Sequence, residues 1–260
     1  MNLIQTTLCS LLLMTGGARL AAQTADEITD KYVKAIGGRE KINALKSAKF
    51  TMKMNVQGME IPMTTYLKHP GSLRTETTFQ GHTAIMVYDG KSQTGWNLNP
   101  MQGDTIPQKM NAEQVTESQE MAEEVVASSL VNYKTAGATL ELIGKEDMEG
   151  VDVYKLMLTK KNKTVVYYSL DASSYLILKE TTKTKFQDKE IESESFFSNY
   201  KSYNGIMMAG TTEIKEHGEL QLQFSVEKAE LDIPLSDDLF AKPANPSKAK
   251  TAEPKKSGGN

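Results

Sequence analysis

Residues 50–68 read FTMKMNVQGMEIPMTTYLK. Phe50, Met52, Met54 and Val56 alternate with Thr51, Lys53 and Asn55. After Gln57-Gly58, Met59, Ile61, Met63, Thr65 and Leu67 alternate with Glu60, Pro62, Thr64, Tyr66 and Lys68. Period-two alternation marks a strand with one apolar and one solvated face, because successive side chains leave a strand on opposite sides. Two such strands joined by a Gln-Gly pair predict an antiparallel hairpin. The apolar side is rich in methionine, a flexible side chain that adapts to irregular apolar surfaces. It is read as the start of a cup for something made of hydrocarbon.

Outward from this hairpin the pattern repeats. His69-Pro70-Gly71 is a turn signal, and Leu73, Thr75, Thr77 and Phe79 alternate with Arg74, Glu76 and Thr78. Gly81 breaks to a strand over 84–88, Asp89-Gly90 reads as a hairpin turn, and a short strand over 93–98 contains Trp96. Asn111 predicts a helix cap, with the helix running to about Leu130. A helix set between two runs of hairpins must lie on one face or at one mouth of the sheet. It is the candidate lid, with Val115, Met121, Val125 and Val126 turned toward the cup. Strands then resume over 139–143, 151–159, 164–170, 174–182, 190–197, 206–215 and 220–231, divided by turn signals such as Glu149-Gly150, Asn204-Gly205 and His217-Gly218. This even spacing predicts an antiparallel meander. Before the first hairpin, Thr24 or Asp26 caps a helix through Ile28, Tyr32, Val33 and Ile36 that Gly37-Gly38 ends, and a short turn follows over 39–45. The expected fold is mainly β (α+β), a large curved antiparallel sheet with helices covering one apolar face.

The chain has 260 residues and a net charge of -3, so no basic footprint points to a nucleic-acid partner. Residues 8–14 form an apolar core too short to span a bilayer, followed by the small residues Ala21 and Ala22. Residues 1–23 are read as a secretory signal peptide cleaved near Ala22 or Gln23. Cys9 is the only cysteine and lies inside that leader, so no disulfide or cysteine-zinc site is expected in residues 24–241, read as one domain. Residues 242–260 carry five lysines against Glu253 and are read as a disordered basic tail.

Catalytic chemistry has little to work with. His69, His82 and His217 lack metal-ligand spacing, and there is no nucleophile elbow, P-loop or His-Glu-x-x-His. No enzyme activity, cofactor or metal is expected. Apolar surface is what remains: Phe50, Met52, Met54, Ile61, Met63, Leu67, Met86 and Trp96 are the expected lining of the cup.

Lys68-His69-Pro70-Gly71-Ser72-Leu73-Arg74, Val87-Tyr88-Asp89-Gly90-Lys91 and Trp96-Asn97-Leu98-Asn99-Pro100, in this order, resemble the core of the LolA/LolB-like periplasmic lipoprotein carriers. Tyr32-Val33-Lys34-Ala35-Ile36-Gly37-Gly38, Asn132-Tyr133-Lys134 and Asp238-Leu239-Phe240 extend the resemblance over most of the chain. It implies an unclosed β-barrel whose concave apolar face, capped by helices, binds the acyl chains of lipoproteins. It also implies a periplasmic location, an inner-membrane release complex and an outer-membrane acceptor. The family's soluble carriers place an arginine before the turn proline, where it helps latch the lid. His69 stands there in this chain, and a neutral imidazole is not a permanently charged forked donor. A second reading on the same fold is a periplasmic sensor or regulator that binds lipid or lipoprotein and signals to a membrane partner.

Overall fold

Five Xaa-Gly pairs turn this chain back on itself: Gln57-Gly58, Gln80-Gly81, Glu149-Gly150, Asn204-Gly205 and His217-Gly218. Both residues of each pair sit at positive φ, as a type I′ hairpin requires, and glycine reaches that region without a Cβ penalty. The computed structural model describes residues 23–126, 128–186 and 189–243. The expected leader, except Gln23, and the tail beyond residue 243 lie outside the described residues.

The first meander comprises β1 (Ser47–Val56), β2 (Met59–Lys68), β3 (Ser72–Phe79), β4 (His82–Asp89), β5 (Thr94–Leu98) and β6 (Gln108–Lys109). The second comprises β7 (Thr139–Met148), β8 (Val151–Thr159), β9 (Val165–Asp171), β10 (Ile177–Phe186) and β11 (Lys189–Ser198). It continues through the small hairpin β12 (Lys201–Tyr203) and β13 (Ile206–Met208) to β14 (Thr211–Glu216) and β15 (Glu219–Leu231). Thirteen strands form one antiparallel sheet in the order β6-β5-β4-β3-β2-β1-β15-β14-β11-β10-β9-β8-β7, with β12 and β13 paired apart. The first and last strands are not bonded to each other, so the sheet does not close into a barrel. Pairing of β1 with β15, from Ala48 opposite Leu231 to Asn55 opposite Gln223, joins the two meanders.

Three helices accompany the sheet: α1 (Ala25–Ala35), α2 (Arg39–Ala44) and α3 (Ala112–Glu124). Thr24 with Glu27, and Asn111 with Gln114, form capping boxes that satisfy the first free N–H groups of α1 and α3. Ile28, Tyr32, Val33 and Ile36 of the α1 region pack with Phe50, Leu156, Leu158, Val166, Tyr168 and Leu170 in the main core. Val115, Ala122 and Val125 pack with Leu73, Tyr88, Met86 and Leu67 in a second cluster under α3. The helices therefore lie on one side of the sheet, called here the inner face.

Three expectations change. The lid helix ends at Glu124 rather than near Leu130, and Ser128 caps a separate 3-10 turn, Ser129–Val131. Valine and serine in that stretch are weaker helix formers than the residues before them. The strand expected over 206–215 is two strands, because Gly210 donates to the Ser198 and Asn199 carbonyls and hands the chain from β13 to β14. Asp89-Gly90 is no two-residue hairpin: four residues separate β4 from β5. Gly90 is required there by closeness, since a Cβ would meet the Pro70 carbonyl oxygen at 1.9 Å.

Candidate functional site: the inner face of the open sheet

Residues directly opposite one another on paired strands share a face, so the register assigns every side chain. Phe50, Met52 and Met54 stand opposite Thr65, Met63 and Ile61. Met52 and Met54 stand opposite Val226 and Phe224 of β15 on the other side. Phe224 and Leu222 then face Thr212 and Ile214. Leu67 and Thr65 lead through Leu73 and Thr75 to Tyr88 and Met86. All belong to the inner face.

This face has two zones. Where helices cover it, packing is tight: Phe50 is 4% exposed and belongs to the main core. Beyond the helices, Met54, Met63, Leu222, Phe224 and Ile214 are half-buried and, among the described residues, join none of the packed clusters. They form an apolar trough. Ile61 sits beside Met54 at 9% exposure, and Met52 links the trough to the core.

At the covered end, α2, the end of α3 and residues 128–136 surround a cleft of about 790 Å³. Leu67, His69 and Val126 meet there, together with Ile42, Leu45, Ala122 and Val131. The volume lies in the range of small-molecule sites. The cation Lys46 and the acid Glu123 also line it. No hydrogen bond of the His69 imidazole occurs among the described residues; its backbone N–H donates to the Lys46 carbonyl. The end of α3 is tied elsewhere. Glu124 accepts hydrogen bonds from Lys160 Nζ at 2.9 Å and Ser129 Oγ at 2.5 Å, and Glu120 accepts from Asn162 Nδ2 at 3.4 Å. Burial opposes the Lys160 ammonium, but Glu124, with Glu120 and Glu180 behind it, holds the lysine above its usual range.

A partly buried acid interrupts the inner face. Glu180 of β10 stands opposite Tyr168 of β9 and Ser195 of β11, and accepts from Thr182 Oγ1 at 3.2 Å. Burial and the nearby Glu124 push its carboxyl up to about 7, against the smaller opposing effects of Thr182 and Lys160.

Two expected site residues are elsewhere. Trp96 lies on the outer face: it stands opposite Val87, which stands opposite Arg74, whose partner is Tyr66. There Trp96 packs with Tyr66, Ile85, Val87, Leu98 and Phe240 and donates Nε1–H to the Phe240 carbonyl at 3.4 Å. The odd-even register of β5 decides this, because one step along a strand changes faces. Met121 is 46% exposed, on the side of α3 turned away from the sheet, since Ser118, Ala122 and Val125 take the inward positions. Met52, Met54, Ile61, Met63, Leu67 and Met86 do share the inner face, with Val115 and Val125 packed over part of it.

The sequence reading did not single out Arg74 and Glu76, a buried pair 2.6 Å apart on the outer face, or Lys160, Glu124 and Glu180. Glu180 sits in Lys179-Glu180-Thr181-Thr182-Lys183, which reads as a solvated strand. The signal was its parity: Glu180 and Thr182 fall on one face while Lys179 and Lys183 pair with Glu194 and Glu192 on the other.

The whole arrangement, an open antiparallel sheet with helices on its inner face, superposes on known structures. The fold is LolA-like. A LolA superfamily protein from Nitrosomonas europaea shares it at 14% identity, covering 85% of this chain and 99% of that one, with a TM-score of 0.55. A DUF1329 family protein from Desulfovibrio piger gives 16% identity, 84% and 97% coverage, and a TM-score of 0.57. A domain from Vibrio parahaemolyticus, provisionally described as outer membrane lipoprotein-sorting, gives 14% identity, 83% and 95% coverage, and a TM-score of 0.55. At these identities the likeness to LolA-superfamily structures is one of fold. No family model and no curated protein matches the chain by sequence. Among the described residues no helix is long and apolar enough to cross a membrane.

Proposed function

We propose that this protein is a soluble periplasmic carrier that holds the acyl chains of lipoproteins on its inner face and delivers them to the outer membrane. The observation that carries the reading is the trough of Met54, Met63, Leu222, Phe224 and Ile214, apolar and half-buried yet outside every packed cluster. Contiguous apolar surface left outside a packed core is the kind of surface that interaction and ligand sites use. Each methylene of an acyl chain left in water costs about 0.8 kcal/mol, so a lipid anchor needs such a surface to cross an aqueous space. The LolA-superfamily name and the provisional sorting description of two structures with this fold support the choice of lipoproteins. The carrier would receive its cargo from an inner-membrane release complex and pass it to an outer-membrane acceptor. It assigns the protein no catalytic step.

The test is recovery of the full chain from the envelope, followed by mass spectrometry of what it holds, beside depletion in cells. Stoichiometric lipoprotein on the protein, with lipoproteins stranded in the inner membrane on depletion, is the expected result. Normal sorting after depletion overturns carriage. Retention of a membrane protein without lipid points to the sensor reading instead.

A further inference from the structure

Glu180 is a partly buried inner-face carboxyl group that the acyl-chain reading leaves without a use; Glu216, on the same face by register, is exposed. Glu180 faces Glu124 from the end of α3, Lys160 from the turn between β8 and β9, Tyr32 from α1 and Tyr168 from β9. Its neighbours across β11, Ser195 and Ser193, are uncharged. Lys160 is the only cation in this group, and its ammonium is bonded to Glu124. Tyr32 Oη shares its hydrogen bond with Ser128 Oγ, 3.2 Å away. Among the described residues Glu180 receives one hydrogen bond, from Thr182. Two carboxyl groups therefore share one lysine in a low-dielectric setting, where an unpaired negative charge is costly. A proton resolves that imbalance in the free protein. A second cation would resolve it equally well.

The position suits a ligand. Glu180 is half-buried rather than sealed, and Ser195 beside it stands opposite Ile214, which stands opposite Leu222 of the trough. Three strand spacings of about 4.8 Å separate β10 from β15, a distance a medium-length hydrocarbon chain covers. We propose that the Glu180 carboxylate is a head-group site of the inner face, taking the primary ammonium of an amphiphile whose hydrocarbon lies in the trough. The bound state then holds two carboxylates and two ammonium groups, and a charge-assisted hydrogen bond replaces the proton on Glu180. This inference rests on the reading of the inner face as a lipid site and adds the chemistry of the head.

The probes are dodecylamine, dodecanol and dodecanoate, each below its micelle concentration, displacing an environment-sensitive acyl probe from delipidated full-length protein. At pH 8 dodecylamine should bind about tenfold more tightly than dodecanol, a difference of about 1.4 kcal/mol. Dodecanoate should bind most weakly. The amine-to-alcohol ratio should shrink toward pH 5.5, because Glu180 takes up its proton on the way through about 7. Glu180→Gln should bring the ratio close to one. Lys160→Met, which leaves two carboxylates with no cation, should raise it. A ratio near one in the natural protein at pH 8, or an unchanged ratio in natively folded E180Q, overturns the proposal. If E180Q fails to fold, K160M decides, and an unraised ratio there is equally fatal. Equal binding of all three probes removes the head-group site and keeps the trough; binding of none removes both.

Discussion

Met54 and Phe50 lie four residues apart on one face of one strand, yet a charge at each should have different consequences. Phe50 is enclosed by the main core, so Phe50→Glu buries an unpaired carboxylate and should unfold the domain, while Phe50→Ala should cost about 3–5 kcal/mol. Met54 is half-buried and outside the packed clusters; Met54→Glu should keep a native circular dichroism spectrum and, by urea titration, an unfolding free energy within roughly 1 kcal/mol of the parent. It should lose acyl-probe binding. A Met54→Glu protein that unfolds would show the trough to be core. Alternation alone could not separate the two residues, because it reports the face and not what covers it. Glu180 gives a second residue-scale expectation. Its carboxyl is raised from an ordinary value of 4.5 to about 7, so the native state holds a proton that the unfolded chain has already lost between those values. Its stabilising effect is complete below about 4.5 and disappears as pH rises through 7. Glu180→Gln should remove roughly 2 kcal/mol of that fall in stability, read from urea titrations at pH 5 and pH 8.

In the segment of residues 233–240 the sequence offers only the Asp238-Leu239-Phe240 resemblance, and the structure makes the segment an element in its own right. Leu235, Leu239 and Phe240 pack on the outer face around Trp96. Lys68 donates to the Leu235 carbonyl and to Asp237, Lys91 donates to Asp237 at 2.8 Å, and Arg74 donates to the Leu239 carbonyl at 3.0 Å. Alternation puts Lys68 on the solvated face of its strand; Asp237, the partner it shares with Lys91, lies 169 and 146 positions away, beyond any local pattern. Hydrogen bonds from Lys68 and Lys91 hold the Asp237 carboxyl down at about 2. Its contribution is therefore present above the ordinary value of 3.8 and is lost as pH falls through about 2. Trp96 is the only tryptophan of the chain, which turns this element into an optical probe. Phe240→Ala should shift Trp96 emission to the red by exposing the indole. Acyl-chain binding should leave that emission unchanged, because the trough is on the other face. Quenching or a shift on lipid binding would put Trp96 back in the cup.

At the scale of the molecule, local order was readable and the closing contact was not. The hairpins announce themselves through Xaa-Gly turns and alternating faces, and the capping boxes of α1 and α3 mark where each helix begins. The pairing of β1 with β15 unites residues more than 150 positions apart, and nothing in either strand names its partner. That seam decides the site, for it sets Val226 and Phe224 beside Met52 and Met54 and so makes one trough from two half-apolar strands. A sheet assembled this way and left unclosed carries apolar surface that lies outside the packed clusters of the described residues. Hydrocarbon bound there should stabilise the fold by mass action, since the unfolded chain has no trough to offer. At a free probe concentration about 100 times Kd the gain is about 2.7 kcal/mol. For a domain of this size that corresponds to a rise in Tm of roughly 5–10 °C. Thermal denaturation followed by circular dichroism, with and without the acyl probe, measures it directly. Met63→Glu, on β2 opposite Met52, should abolish the rise, whereas Met121→Glu, on the exposed side of α3, should keep it. If both variants still respond, the hydrocarbon is held by the 790 Å³ cleft at the covered end and not by the trough.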